Sequence, residues 1–148
     1  MSITNSRVPE RIPFLRPVYL ALHNHAETLM RVLCGVIFSV HGFPKIMDPY
    51  KAVGLVEGLG FYPGAFWSPL LSFTEFFAGI LIAVGFLTRP AAVAATVILL
   101  VTVYAHWVHM GQGYSGAEKS ILWVAMTIFF AVRGANSQSI DAKLGRQF

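Results

Sequence analysis

Residues 66–110 read FWSPLLSFTEFFAGILIAVGFLTRPAAVAATVILLVTVYAHWVHM, and this stretch decides the fold. Two apolar runs, 66–87 and 90–110, are separated only by Thr88-Arg89, and Glu75 is the one carboxylate in either run. A helix rises about 1.5 Å per residue, so about 20 apolar residues cross a hydrocarbon core roughly 30 Å thick. Both runs have that length. A two-residue link makes the second run return antiparallel beside the first. Pro90 suits the start of the returning helix, where its missing N–H leaves no bond unmade.

Two further runs flank this hairpin. One spans 26–43, broken in apolar character by Glu27, Arg31 and His41, and the other spans 117–133. The connection 44–65 is rich in glycine and aromatics and carries a short helix expected from Tyr50 to Leu59, whereas 111–116 is a brief glycine-rich turn. The expected fold is all-α, a four-transmembrane-helix bundle in up-down-up-down order. Residues 1–25, with Pro9, Pro13 and Pro17, read as an N-terminal cytoplasmic or interfacial segment without a long helix, and 134–148 as a C-terminal cytoplasmic tail.

Composition agrees. Of the 148 residues 55% are hydrophobic and 12% charged, about half the charged share of a soluble domain. One domain is expected. The net charge of +4 does not indicate nucleic-acid binding, because no dense basic run is interleaved with aromatics. Arg7, Arg11, Arg16, Arg89, Arg133, Lys143 and Arg146 fall on one side of the bundle, and Lys45, Lys51 and Lys119 on the other. The positive-inside rule then puts both termini in the cytoplasm. The first apolar run begins too late and continues too far for a cleaved signal peptide. Cys34 is the single cysteine, which rules out an internal disulfide and a Cys-x-x-Cys redox pair and fits a small core residue.

An ionisable group in mid-membrane costs roughly 2.5–3.5 kcal/mol on insertion scales and so calls for a partner or a purpose. Arg31 and Glu75 are the most expensive. Their long side chains suggest a buried ion pair across the first two spans, read either as a structural clamp or as a carboxylate tuned to handle protons or a quinone. Arg31, Cys34, Phe38, His41 and Lys45 form a stripe spaced three and four apart, as do Thr102, His106 and His109. With Glu118 at the start of the last span, these stripes direct His41, His106, His109, Glu118 and Lys45 toward one end of the bundle.

That end has three readings. The polar residues serve as interfacial anchors, or the imidazoles with Tyr104 or Trp107 flank the head group of a lipid-soluble quinone, or His106 and His109 contribute to a metal site. The His-x-x-His spacing is common, and no metal is assigned. Gly79, Ala83, Ala91, Ala92, Ala94 and Ala95 read as close-packing positions. Gly111, Gly113 and Gly116 lack the lysine-serine pair of a phosphate loop. No nucleophile elbow, dinucleotide fingerprint or haem-attachment motif is present.

Several ordered motifs carry a resemblance. Arg31-Val-Leu-Cys-Gly35, His41-Gly42-Phe-Pro-Lys45 and Leu59-Gly60 before Pro63 are followed by Glu75-Phe-Phe-Ala-Gly79. Then come Gly85-Phe-Leu-Thr-Arg89 before Ala91-Ala92, Gly113-Tyr114 with Glu118, and Arg133-Gly-Ala-Asn-Ser-Gln-Ser139-Ile-Asp141. Across residues 30–141 this order resembles the DoxX family, in particular the membrane subunit of thiosulfate:quinone oxidoreductase. The resemblance implies a bacterial-type inner-membrane protein linked to sulfur or oxidative-stress redox chemistry. It also implies functional weight for Arg31, His41, Lys45, Glu75, Arg89 and Glu118, and quinone as the cofactor.

The expected function is a quinone-interacting subunit of a membrane redox complex, an oxidoreductase component that is not catalytic alone. The alternative is a non-enzymatic membrane scaffold or accessory subunit; a small transporter has less support, with no inverted repeat in view. Expected partners are the lipid bilayer and other redox subunits, with self-association compatible. A fluorescent protein that matures only in the cytoplasm, fused after Phe148, should glow in cells, and a periplasm-dependent phosphatase fused there should be inactive. The opposite pair of results would invert the assigned orientation.

Overall fold

The computed structural model describes residues 13–146. After one turn at Pro13–Leu15 come α1 (Arg16–Met47), α2 (Val53–Gly58), α3 (Gly64–Val84), α4 (Thr88–Tyr104), α5 (Gly113–Arg133) and α6 (Ile140–Lys143). A one-turn π segment, Ala105–His109, prolongs α4. Among the described residues there is no strand. Four of these helices are long and apolar enough to cross a membrane.

α1 is longer than the expected 26–43. It begins at Arg16 because Pro17 falls in its first turn, where a proline is compatible with helix, and it continues through Pro44. Its 32 residues extend about 48 Å, whereas the 21 residues of α3 or α5 extend about 32 Å. The N-terminal segment is therefore helical from residue 16, and residues 1–12 lie outside the described residues. α4 begins at Thr88, two residues before Pro90, with Leu87 in a left-handed conformation (φ 49°). α2 covers the centre of the short helix expected between Tyr50 and Leu59.

The contacts of α1 with α3 run in opposite order along the two chains. Arg31 meets Ile82 and Ala83, Ser39 meets Phe76, and Lys45 meets Glu75. The two backbones approach closely at glycines. A Cβ on Gly79 would stand 2.6 Å from the Ser39 nitrogen and 2.7 Å from the Gly35 oxygen, and one on Gly42 2.7 Å from the Phe76 nitrogen. In lipid, where apolar surface gains little from leaving its solvent, this close approach supplies much of the association energy. α4 and α5 are likewise antiparallel: Arg89 Nη2 lies 3.5 Å from the Arg133 carbonyl, and Thr96 Oγ1 donates to Thr127 Oγ1 at 2.9 Å. Cys34, Phe38, Ala78, Ile82, Ala92, Ala95, Leu99 and Phe130 form the core between the helices.

The C-terminal segment is not a free tail. Residues 134–146 fold back, and α6 docks on the α3–α4 turn through an Asp141 N–H to Gly85 carbonyl bond of 2.8 Å. The segment expected as a tail is thus folded onto the bundle: buried Asp141 supplies acceptors for backbone donors that the turn leaves unpaired.

Gly79→Val should separate α1 from α3 and destabilise the bundle by about 1–3 kcal/mol, the usual cost of overpacking. Unfolding titrations in detergent micelles measure this, and an unchanged midpoint would contradict the packing described.

Candidate functional site

The charged residues of the spans gather at two ends of the bundle. At the first, the Arg31 guanidinium donates from Nη1 to the Ile82 carbonyl at 2.8 Å and to the Ala83 carbonyl at 2.6 Å, and from Nη2 to the Gln138 carbonyl at 3.0 Å. Ile82 and Ala83 belong to the last turn of α3, whose carbonyls carry the negative end of its dipole; the Ile82 carbonyl also accepts from the Gly85 N–H at 3.2 Å. One turn away, Asp141 accepts from the Leu87 N–H at 3.0 Å and from the Thr88 N–H and hydroxyl at 3.2 and 3.1 Å. A cation thus closes the end of α3 and an anion the start of α4. Glu27, also buried, receives Arg133 in a two-point contact of 3.1 and 3.2 Å, tying α1 to the end of α5. Asn136 and Gln138 bond Thr28 across the same seam.

The expected Arg31–Glu75 pair does not form. In the antiparallel register Arg31 lies level with Ile82 and Ala83, about two turns along α3 from Glu75, or roughly 11 Å. Glu75 pairs instead with Lys45, at the other end of α1. The Lys45 ammonium sits 2.7 Å from each carboxylate oxygen. The Glu75 side chain is 2% exposed and Lys45 33%. Only Oε1 receives an aligned hydrogen bond, so Oε2 is buried with an ionic contact but no donor directed at it.

Around this second pair the bundle is polar. The imidazole of His41 meets Trp123 edge-on at 5.5 Å between ring centres, and it lies within electrostatic reach of Lys45, Glu75, His106 and Lys119. His106 contacts the side-chain oxygen of Gln112 at 2.8 Å through Nδ1. The structure therefore brings together His41, Lys45, Glu75 and His106. It does not bring in His109, which faces Gly58 of α2, or Glu118, which is exposed in the second turn of α5. Arg89 lies at the opposite end, over Gly134 and the Arg133 carbonyl. Lys119, Trp123 and Gln112 were missed by sequence reasoning. Lys119 and Trp123, three and seven residues beyond Gly116, stand four apart and so share one helix face.

Among the described residues no three His, Cys, Asp or Glu side chains gather as a metal site. His106 and His109 diverge because the π segment between them widens the turn. A separate cavity of about 360 Å³ lies between α2, α3 and α4, lined by apolar side chains such as Val56, Leu70, Val97 and Val101, with Thr74 among them.

Four apolar helices enclosing a buried carboxylate–ammonium pair define a multi-pass integral membrane protein. The chain belongs to the DoxX family, whose profile matches residues 26–110. It is similar to the inner membrane protein YqjF of Escherichia coli (strain K12), at 28% identity over 120 residues, covering 80% of this chain and 91% of that relative. No solved structure matches it.

The pair makes a quantitative expectation. Lys45→Met leaves a carboxylate buried without its counter-charge and should cost about 3 kcal/mol, the low end for a broken buried pair because Lys45 is one-third exposed. Adding Glu75→Met should recover most of that loss, a coupling that unfolding of the single and double variants in micelles measures. Additive losses would mean that the two groups do not interact.

Proposed function

We propose that this DoxX-family chain is an inner-membrane subunit of a redox complex that binds a quinone at the Lys45–Glu75 end of its bundle. The single observation carrying this reading is the buried Glu75 carboxylate, held by Lys45 with one oxygen lacking an aligned donor. A quinone becomes a quinol by taking up two electrons and two protons. The residues here suit the proton half of that reaction. The Lys45 N–H and an imidazole N–H are donors for the head-group carbonyls, Glu75 Oε2 is an acceptor for a quinol hydroxyl, and the Trp123 ring offers an apolar flank. A bound quinone would supply the electron acceptor, and a separate electron-donating subunit the electrons. The inner-membrane location rests on the similarity to YqjF, and cytoplasmic termini on the charge distribution.

A second reading, a non-enzymatic scaffold, draws on a different observation. α1 extends past the other helices and carries Val18, Tyr19 and Leu22 exposed, a stem on which another subunit could pack.

The test is quinone retention by the purified protein in nanodiscs. Ubiquinone or menaquinone should quench tryptophan fluorescence saturably in the wild type, and Glu75→Gln and Lys45→Met should weaken binding at least tenfold. No saturable quenching by either quinone, together with stoichiometric co-purification of a partner that survives Glu75→Gln, would replace this reading with the scaffold.

A further inference from the structure

We infer that Gln112 is a positioning residue that holds His106 as the Nδ1–H tautomer and leaves its Nε2 as the ring's proton acceptor. The side-chain oxygen of Gln112 lies 2.8 Å from His106 Nδ1. Its side-chain nitrogen is directed elsewhere, to the Met110 sulfur at 3.7 Å. A carbonyl oxygen only accepts, so the ring nitrogen beside it carries the hydrogen. A neutral imidazole has one N–H, so Nε2 is then bare.

The local backbone is built around this contact. Gln112 stands at the cap of α5, and its own N–H donates to the His106 carbonyl at 3.0 Å. Backbone and side chain of one residue therefore grip both ends of the other. His106 lies in the π segment that ends α4, the kind of local widening that recurs at functional sites. One turn into α5, Gly116 leaves room for the amide: a Cβ there would stand 2.5 Å from the Gln112 side-chain oxygen. The groups sharing this end of the bundle are His41, Lys45, Glu75 and Lys119. Among them a bare Nε2 on His106 is a proton acceptor outside the Lys45–Glu75 pair. The use of that nitrogen in proton transfer rests on the quinone reading above; the tautomer does not.

The experiment is ring-nitrogen NMR of the full chain in nanodiscs with 15N-labelled histidine, at about pH 8, above the ordinary imidazole range. His106→Gln identifies the His106 signals by their loss. Wild type is expected to show a protonated Nδ1 and a bare Nε2 at His106. Gln112→Leu should turn this single form into a mixture dominated by the Nε2–H tautomer that free imidazole prefers, and Gln112→Glu, which keeps an acceptor oxygen, should restore the wild-type pattern. Gly116→Val should reproduce the Gln112→Leu spectrum without altering either partner. An Nε2–H ring in the wild type would overturn the inference, without need of any variant. So would a ring unchanged by Gln112→Leu, or one that Gln112→Glu does not restore. A protein with the expected tautomer that retains no quinone would remove the proton-transfer role and leave the positioning intact.

Discussion

The guanidinium of Arg31 on the last carbonyls of α3 is the contact from which the arrangement of the other polar groups follows. A helix ending in lipid has unpaired carbonyls that water does not reach, and each costs several kcal/mol if unmet. Arg31 meets the Ala83 carbonyl, adds a second donor to the Ile82 carbonyl that the Gly85 N–H already reaches, and takes the Gln138 carbonyl as well. It thereby draws the C-terminal segment over the α3–α4 turn, where Asp141 caps the N–H groups that begin α4. One cation and one anion close the adjacent ends of two helices, each with the sign that the helix dipole favours.

That contact also sets the register of α1 on α3. With Arg31 level with Ile82, the glycines at 35, 42 and 79 fall where the backbones touch, and Glu75 is left beyond the reach of Arg31. The Lys45 ammonium comes to the carboxylate from the far end of α1. The two ends of the bundle therefore differ in character. At the first, the charged groups are bound to backbone and to each other across several chain segments, an arrangement that holds structure. At the second, Lys45 holds Glu75, Gln112 meets His106, and His41 packs against the Trp123 ring.

The outer surface is what a bilayer solvent requires. Leu29, Leu33, Val36, Ile37 and Val40 of α1 and Val93, Val97 and Leu100 of α4 are exposed, while the charged residues of mid-span turn inward. Such a surface is unremarkable in lipid and would be untenable in water.

The fold class was legible from residues 66–110 alone, because two apolar runs of membrane-crossing length joined by Thr88-Arg89 have few other solutions. The depth of each ionisable group along its helix was legible for the same reason: position in a span converts to height at a fixed rise per residue. This is how His41, Lys45 and His106 were assigned to one end. The sequence did not contain the rotation of each helix about its axis or the sliding of one helix along another. Those two quantities depend on where backbones can touch and on which carbonyls need a donor. They decided that Arg31 binds α3's final turn rather than Glu75, that Lys119 rather than Glu118 joins the cluster, that His109 faces α2, and that Asp141 returns from 53 or 54 residues away to cap α4. Height in the membrane is a local property of the chain, whereas partnership across it is set only when all the helices have packed.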